Sequence, residues 1–225
     1  MGLIFISRCG EFVSRKIFSC YDGVMESDSY TQHHPHTLGD YLSRGLVLFV
    51  YRLARIIFRS SFAEHTLVLE ATLSSMQTSA AAHVHYAAIR NVRADRERIE
   101  ELLGEASVEH LHVLVLKRIT ELSWYGRLAI WKMQFIYVPI YRLLYMLSPS
   151  AAHRLIAYSE ERLAGIYADW LLALMCGAAE NKDAPSLAIQ YWELEDDASL
   201  IDVVNMFIAD TAKHRDHNHL IADGE

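Results

Sequence analysis

From about residue 38 onward, apolar residues recur every three or four positions through long stretches, and short polar connectors separate them. The stretches cover about 38–60, 63–92, 94–121, 124–147 and 149–178, with a last one starting near Asp197. No run of strand length alternates cleanly, and no internal repeat is visible. The pattern predicts an all-α protein: an irregular segment over 1–37, then a helical domain over 38–225 built around a four-helix bundle. Asp197 is the expected N-cap of the last helix, and "ENKDAPS" and "YWELEDD" read as loop. Pro139 is expected to kink the 124–147 helix or end one of its turns.

No apolar segment is long enough and free enough of charge to cross a bilayer; the nearest, 128–152, is interrupted by Lys132 and Arg142. The stretch "RGLVLFVYRLARIIFR" is more informative. At ~100° per residue, Arg44, Arg52, Arg55 and Arg59 fall within a stripe about 80° wide, and apolar residues fill the rest. Such a helix suits a membrane–water interface, its arginines reaching headgroups. It equally suits a core-facing helix with a solvated edge.

Composition narrows the classes. Of 225 residues 52% are hydrophobic and 22% charged, which permits a large core and argues against general disorder. Net charge is −7 and no basic cluster is dense, so nucleic acid is not an expected partner. Cys9, Cys20 and Cys176 are too scattered for a disulfide framework. The first residues, with Arg8, Arg15, Lys16 and three serines, weakly resemble an organellar targeting segment. Gly2 invites myristoylation, but Ile6 stands where that pattern wants Ser or Thr. His33, His34 and His36 read as a polar tail.

Chemistry concentrates elsewhere. Glu109 and His112 stand at i, i+3 in "EASVEHLHV", so one helix face offers a carboxylate and an imidazole to a single metal. His112 lies among Leu111, Val113 and Leu114, and Glu70 within "LVLEATL", where an unpartnered polar group is costly. A di-iron carboxylate bundle takes a lone Glu from each of two helices and a Glu-x-x-His from each of the others. Glu70 and Glu160 supply the lone carboxylates, Glu109 and His112 one pair, and His214 half of the second. Thr211 stands where the last carboxylate belongs.

Five ordered blocks carry a resemblance. "LVLEAT", "LLGEASVEHLHV", "LSPSAAHRLIAYSEERL", "PSLAIQYWELEDDASLIDVV" and "ADTAKHRDHNH" resemble, in order, the blocks of the alternative oxidases, interfacial di-iron quinol oxidases of mitochondria and plastids. The resemblance implies a ferritin-like four-helix bundle with two additional interfacial amphipathic helices, the second being "AIWKMQFIYVPIYRLLYML". It places Glu70, Glu109, His112, Glu160 and His214 on iron-ligand positions and Thr211 on the sixth. His65 replaces an arginine linked to quinol binding, Ile166 replaces the Ser or Thr before the site tyrosine, and Val108 and Arg162 are further departures. Tyr167 and Trp192 are retained.

Two readings follow. In the first, the chain is a pseudoenzyme with no metal or an incomplete metal site. It would be an accessory subunit of an inner-mitochondrial-membrane assembly, with respiratory complex I as one candidate, or a homodimer, held peripherally on lipid. In the second it is a divergent ubiquinol:O₂ oxidoreductase holding two Fe, with Asp210 replacing the missing carboxylate. Asp210, His214 and His217 fall within about 60° of one another, so a small helix rotation would suffice. A single structural metal is a third arrangement. A threonine hydroxyl carries no charge and ligates iron poorly, which favours the first reading.

Overall fold

The computed structural model describes residues 33–57, 61–92 and 96–224. Within them the chain forms α1 (Leu38–Ile57), α2 (Phe62–Asn91), α3 (Arg96–Ile119), α4 (Trp124–Leu147), α5 (Pro149–Met175), α6 (Ser186–Trp192) and α7 (Leu200–Asp223). The targeting, myristoylation, Cys9, Cys20 and Arg59 readings fall outside the described residues. Helices α2, α3, α5 and α7 make the bundle: α2 packs on α3, and α5 on α7. α1 lies along α5, and α4 covers α2 and α5.

Serines start most of the long helices. Ser61 and Ser123 accept from the amides of Glu64 and Gly126, and Ser148 accepts from Ala151 with Pro149 in the first turn. The last helix begins at Ser199, two residues beyond the expected Asp197 cap. There Asp202 accepts from both the backbone N–H (2.8 Å) and the hydroxyl (2.9 Å) of Ser199, fixing the first turn. The expected loop before it contains α6. At 7 residues it is under two turns, too short for helical periodicity to register. Pro139 does not end α4, which runs unbroken for 24 residues. A proline removes one intrahelical bond, and the packed remainder of α4 carries the helix past it. His33 is not a free tail residue: its ring stacks on His219 of α7 at 4.3 Å.

α1 and α4 differ from the bundle in what they expose. α1 buries Val47, Tyr51 and Ala54 but leaves Leu42, Phe49 and Ile56 open; α4 buries Tyr141 and Tyr145 but leaves Trp131, Phe135 and Ile140 open. No helix among the described residues is long and apolar enough to cross a membrane. Arg44 is half-buried and its charge acts on Glu161 of α5, while Arg52 and Arg55 are exposed, the Arg55 charge still acting on Asp169.

Candidate metal centre

The bundle turns its most polar residues inward. Glu70 on α2, Glu109 and His112 on α3, and Glu160 on α5 are fully buried, and His214 on α7 is nearly so. They form two donor triads. Glu70, Glu109 and His112 bring one ligand atom each within 4.8 Å of one another, and so do Glu109, Glu160 and His214. Glu109 belongs to both, so two ions held there would share a carboxylate. The helical spacing explains the arrangement: Glu109 and His112 lie on one face of α3 because three residues make nearly one turn.

The triads are partly tied together by hydrogen bonds. Nδ1 of His112 lies 3.1 Å from Oε1 of Glu70, and Nδ1 of His214 lies 2.9 Å from Oε1 of Glu109. The Tyr167 hydroxyl donates to Glu70 through a short bond. The Phe207 ring lies against both His112 (4.6 Å) and Tyr167 (5.0 Å), closing the site with apolar surface.

Four carboxylate oxygens are left over. Oε2 of Glu70, Oε2 of Glu109 and both oxygens of Glu160 are buried with no hydrogen-bond partner. Buried acceptors are satisfied in nearly all folded proteins, and a carboxylate in an apolar core needs a counterion or a proton. The protons are held tightly when no ion is there. Burial pushes Glu70 up to about 7. Burial and the charge of Glu70 push Glu109 up to about 8, and burial with the neighbouring Glu109 and Glu70 drives Glu160 well above the ordinary carboxylate range. Carboxylate oxygens with imidazole nitrogens are the donor set of iron, manganese and zinc sites, so these residues fit a divalent transition metal.

The sixth position holds a hydroxyl. Thr211 is fully buried and its Oγ1 has no partner, so it brings a neutral hydroxyl to the place where the Glu-x-x-His spacing calls for a carboxylate. Asp210 does not take its place. Its Oδ2 lies 3.3 Å from Nε2 of His112 and accepts from Nε1 of Trp192 at 3.0 Å. Burial acts to raise Asp210, but the His112 and Trp192 bonds outweigh it and hold it below its usual range. Asp210 therefore orients His112, a role that spacing alone did not reveal.

Other sequence candidates lie apart from the donors. His65, on the first turns of α2, is buried with Nε2 unpartnered, and burial with the Arg55 charge pulls it down to about 4. His217 is in neither triad; its Nε2 lies 2.7 Å from Glu101 and 3.7 Å from Glu105. A second polar network was not anticipated. Asn218 donates to Glu105 at 3.0 Å and its Oδ1 meets Nδ1 of His153 at 2.8 Å, with Gln77 completing the contact to Glu105 at 3.4 Å. The buried Glu105, one turn before Glu109, was the available signal. Between α1 and α4 lies a mostly apolar cavity of about 50 Å³, lined by Val47, Leu73, Met76, Met133 and Tyr137 among others.

The family model described as "Alternative oxidase" matches residues 22–223. "Alternative oxidase 3, mitochondrial" of Glycine max is 35% identical over 194 residues, 86% of this chain and 60% of that protein. "Ubiquinol oxidase, mitochondrial" of Batrachochytrium dendrobatidis is 35% identical over 189 residues, covering 84% and 60%. "Ubiquinol oxidase 1c, mitochondrial" of Arabidopsis thaliana is 30% identical over 203 residues, covering 90% and 62%. The chain thus spans about three fifths of the length of these relatives.

Proposed function

The chain belongs to the alternative oxidase family, and from that premise we propose that it is a pseudoenzyme: a peripheral membrane protein that keeps the oxidase fold without quinol:O₂ oxidase activity. It serves as an accessory subunit of an inner-mitochondrial-membrane assembly, alone or as a pair of copies. The observation that carries this reading is Thr211, buried without a partner at the one position where a fourth carboxylate should face the other donors. Asp210, the obvious substitute, is held on the far nitrogen of His112.

The quinol side supports the same reading. His65 stands where the resemblance expects an arginine, and its low basicity leaves it neutral at physiological pH.

One observation favours a second reading, a working ubiquinol oxidase: the two donor triads share Glu109, as a paired metal centre requires. In that reading Glu70, Glu109, His112, Glu160 and His214 hold iron, which supplies the redox chemistry between quinol and O₂. Tyr167 fixes Glu70 by its hydrogen bond, and Phe207 keeps water from the donors.

The test is O₂ uptake by the purified, iron-loaded chain in vesicles with a ubiquinol analogue. No uptake above the iron-only rate is expected. Sustained quinol-dependent uptake would sink the pseudoenzyme reading. Extraction from native membranes should also find the chain migrating with a much larger assembly rather than alone.

A further inference from the structure

The two triads are not equivalent. The first, Glu70–Glu109–His112, is the better braced, although Oε2 of Glu70 and of Glu109 have no partner. Tyr167 donates to Glu70, Asp210 holds the outer nitrogen of His112, and Trp192 holds Asp210. A carboxylate on the outer nitrogen of a ligating imidazole fixes its orientation and raises its basicity, which is how metal-binding histidines are commonly prepared. The second, Glu109–Glu160–His214, is poorly braced. Neither oxygen of Glu160 has a partner, and the α7 neighbour that should complete the set is the Thr211 hydroxyl.

Charge points the same way. Two divalent ions carry four positive charges, and the three glutamates of the triads supply three negative ones. One ion on the first triad is balanced by Glu70 and Glu109. A second would have only Glu160 left, in a fully buried place where uncompensated charge is costly.

We propose that this chain binds one divalent transition-metal ion, held by Glu70, Glu109 and His112, and that Thr211 is the reason the second ion is absent. The inference rests on reading the buried cluster as an oxidase-type metal centre, and it deepens the pseudoenzyme reading by saying what the cluster still does. The ion ties α2 to α3 through the core of the bundle. It also answers the unpartnered oxygens of Glu70 and Glu109.

The test is a count. Metal-free protein is given Mn(II) alone, and bound metal per chain is measured with the electron paramagnetic resonance spectrum. One manganese per chain with an uncoupled signal is expected. Glu70→Gln should weaken binding at least tenfold, and markedly more than Glu160→Gln does. Thr211→Glu should raise the count to two and give an exchange-coupled spectrum. Two coupled ions in the unaltered chain, or none, would overturn the proposal. So would loss of the ion in Glu160→Gln with retention in Glu70→Gln. If a variant fails to fold, the count and coupling in the unaltered chain still decide. Quinol-dependent O₂ uptake is scored separately. One ion with uptake defeats only the pseudoenzyme reading, and two ions without uptake defeat only this one.

Discussion

Oδ2 of Asp210 lies 3.3 Å from Nε2 of His112, on the ring nitrogen opposite the one that meets Glu70. The imidazole is therefore gripped between a carboxylate on α7 and a carboxylate on α2, and Trp192 of α6 steadies the outer one at 3.0 Å. This is why the short helix α6 matters: it carries the indole that fixes Asp210. The carboxylate adjacent to Thr211 is spent on orientation and is not free to complete the donor set.

Asp210→Ala should therefore weaken metal binding without abolishing it. Loss of such an outer partner typically lowers metal affinity about 10- to 100-fold. Competition against a chromophoric chelator measures this directly, and an unchanged affinity would show that Asp210 does not brace a ligand.

Metal-free protein should lose stability as pH rises from 6.5 to 8. In the fold Glu70 and Glu109 keep their protons up to about 7 and about 8, but in the unfolded chain they release them near 4.5. The folded state thus binds more protons across that interval, and each step up in pH favours unfolding. Glu109 alone contributes roughly 2 kcal/mol over the window, a fall in Tm on the order of 5 °C. His65 and His219, both lowered to about 4, act in the opposite sense, but the unfolded imidazoles are already half-deprotonated at 6.5, so within the window they only partly offset the glutamates. Added metal should reverse the trend, since it needs the carboxylates deprotonated. A metal-free Tm that is flat or rising from pH 6.5 to 8 would contradict this account.

Two glycines should respond oppositely to alanine. A Cβ at Gly126 would lie 2.6 Å from Oε1 of Glu64 and 2.7 Å from Cδ1 of Leu122. Glu64 cannot swing away freely, because it accepts from the Ser123 amide at 2.9 Å and from the Ser123 hydroxyl, which ties the start of α2 to the start of α4. Gly126→Ala should cost about 1–3 kcal/mol through crowding and the lost tie. At Gly104 on α3 a Cβ meets nothing within 4 Å. Gly104→Ala should stabilise by about 0.5–1 kcal/mol through helix propensity. Thermal melts of the two variants decide both signs.

Much of this fold and site was legible in the chain because helical spacing and burial leave marks in sequence. Glu70 inside "LVLEATL" and the Glu109–His112 pair announced themselves through polar residues in apolar company, and the structure brings both into one triad. Three features did not show. The bond from Asp210 to His112 joins residues 98 apart, and no local pattern encodes such a pairing. α6 is too short for periodicity to register. The sequence groups Arg44, Arg52 and Arg55 on one edge of α1, but which neighbour each meets depends on tertiary packing. Arg44 and Arg55 act on Glu161 and Asp169 of α5.

The exposed faces of α1 and α4 bear on how the protein would hold a membrane. α1 and α4 both line one apolar cavity, and each leaves apolar residues exposed. Among these, Phe49 is 64% exposed, Trp131 62% and Phe135 72%. With these rings so exposed, attachment should depend on burying them more than on attracting anionic headgroups. Each ring transferred into lipid contributes about 2 kcal/mol, worth roughly 30-fold in partitioning. Phe135→Glu should therefore cut binding to phosphatidylcholine vesicles at least tenfold, and Trp131→Glu likewise. Leu103→Glu, exposed on α3 rather than on α1 or α4, should leave it unchanged. Binding should also vary little between 0.1 and 0.5 M salt, because screening weakens headgroup attraction and not apolar burial. If binding collapses in salt while Phe135→Glu leaves it intact, the arginines rather than the rings anchor the protein.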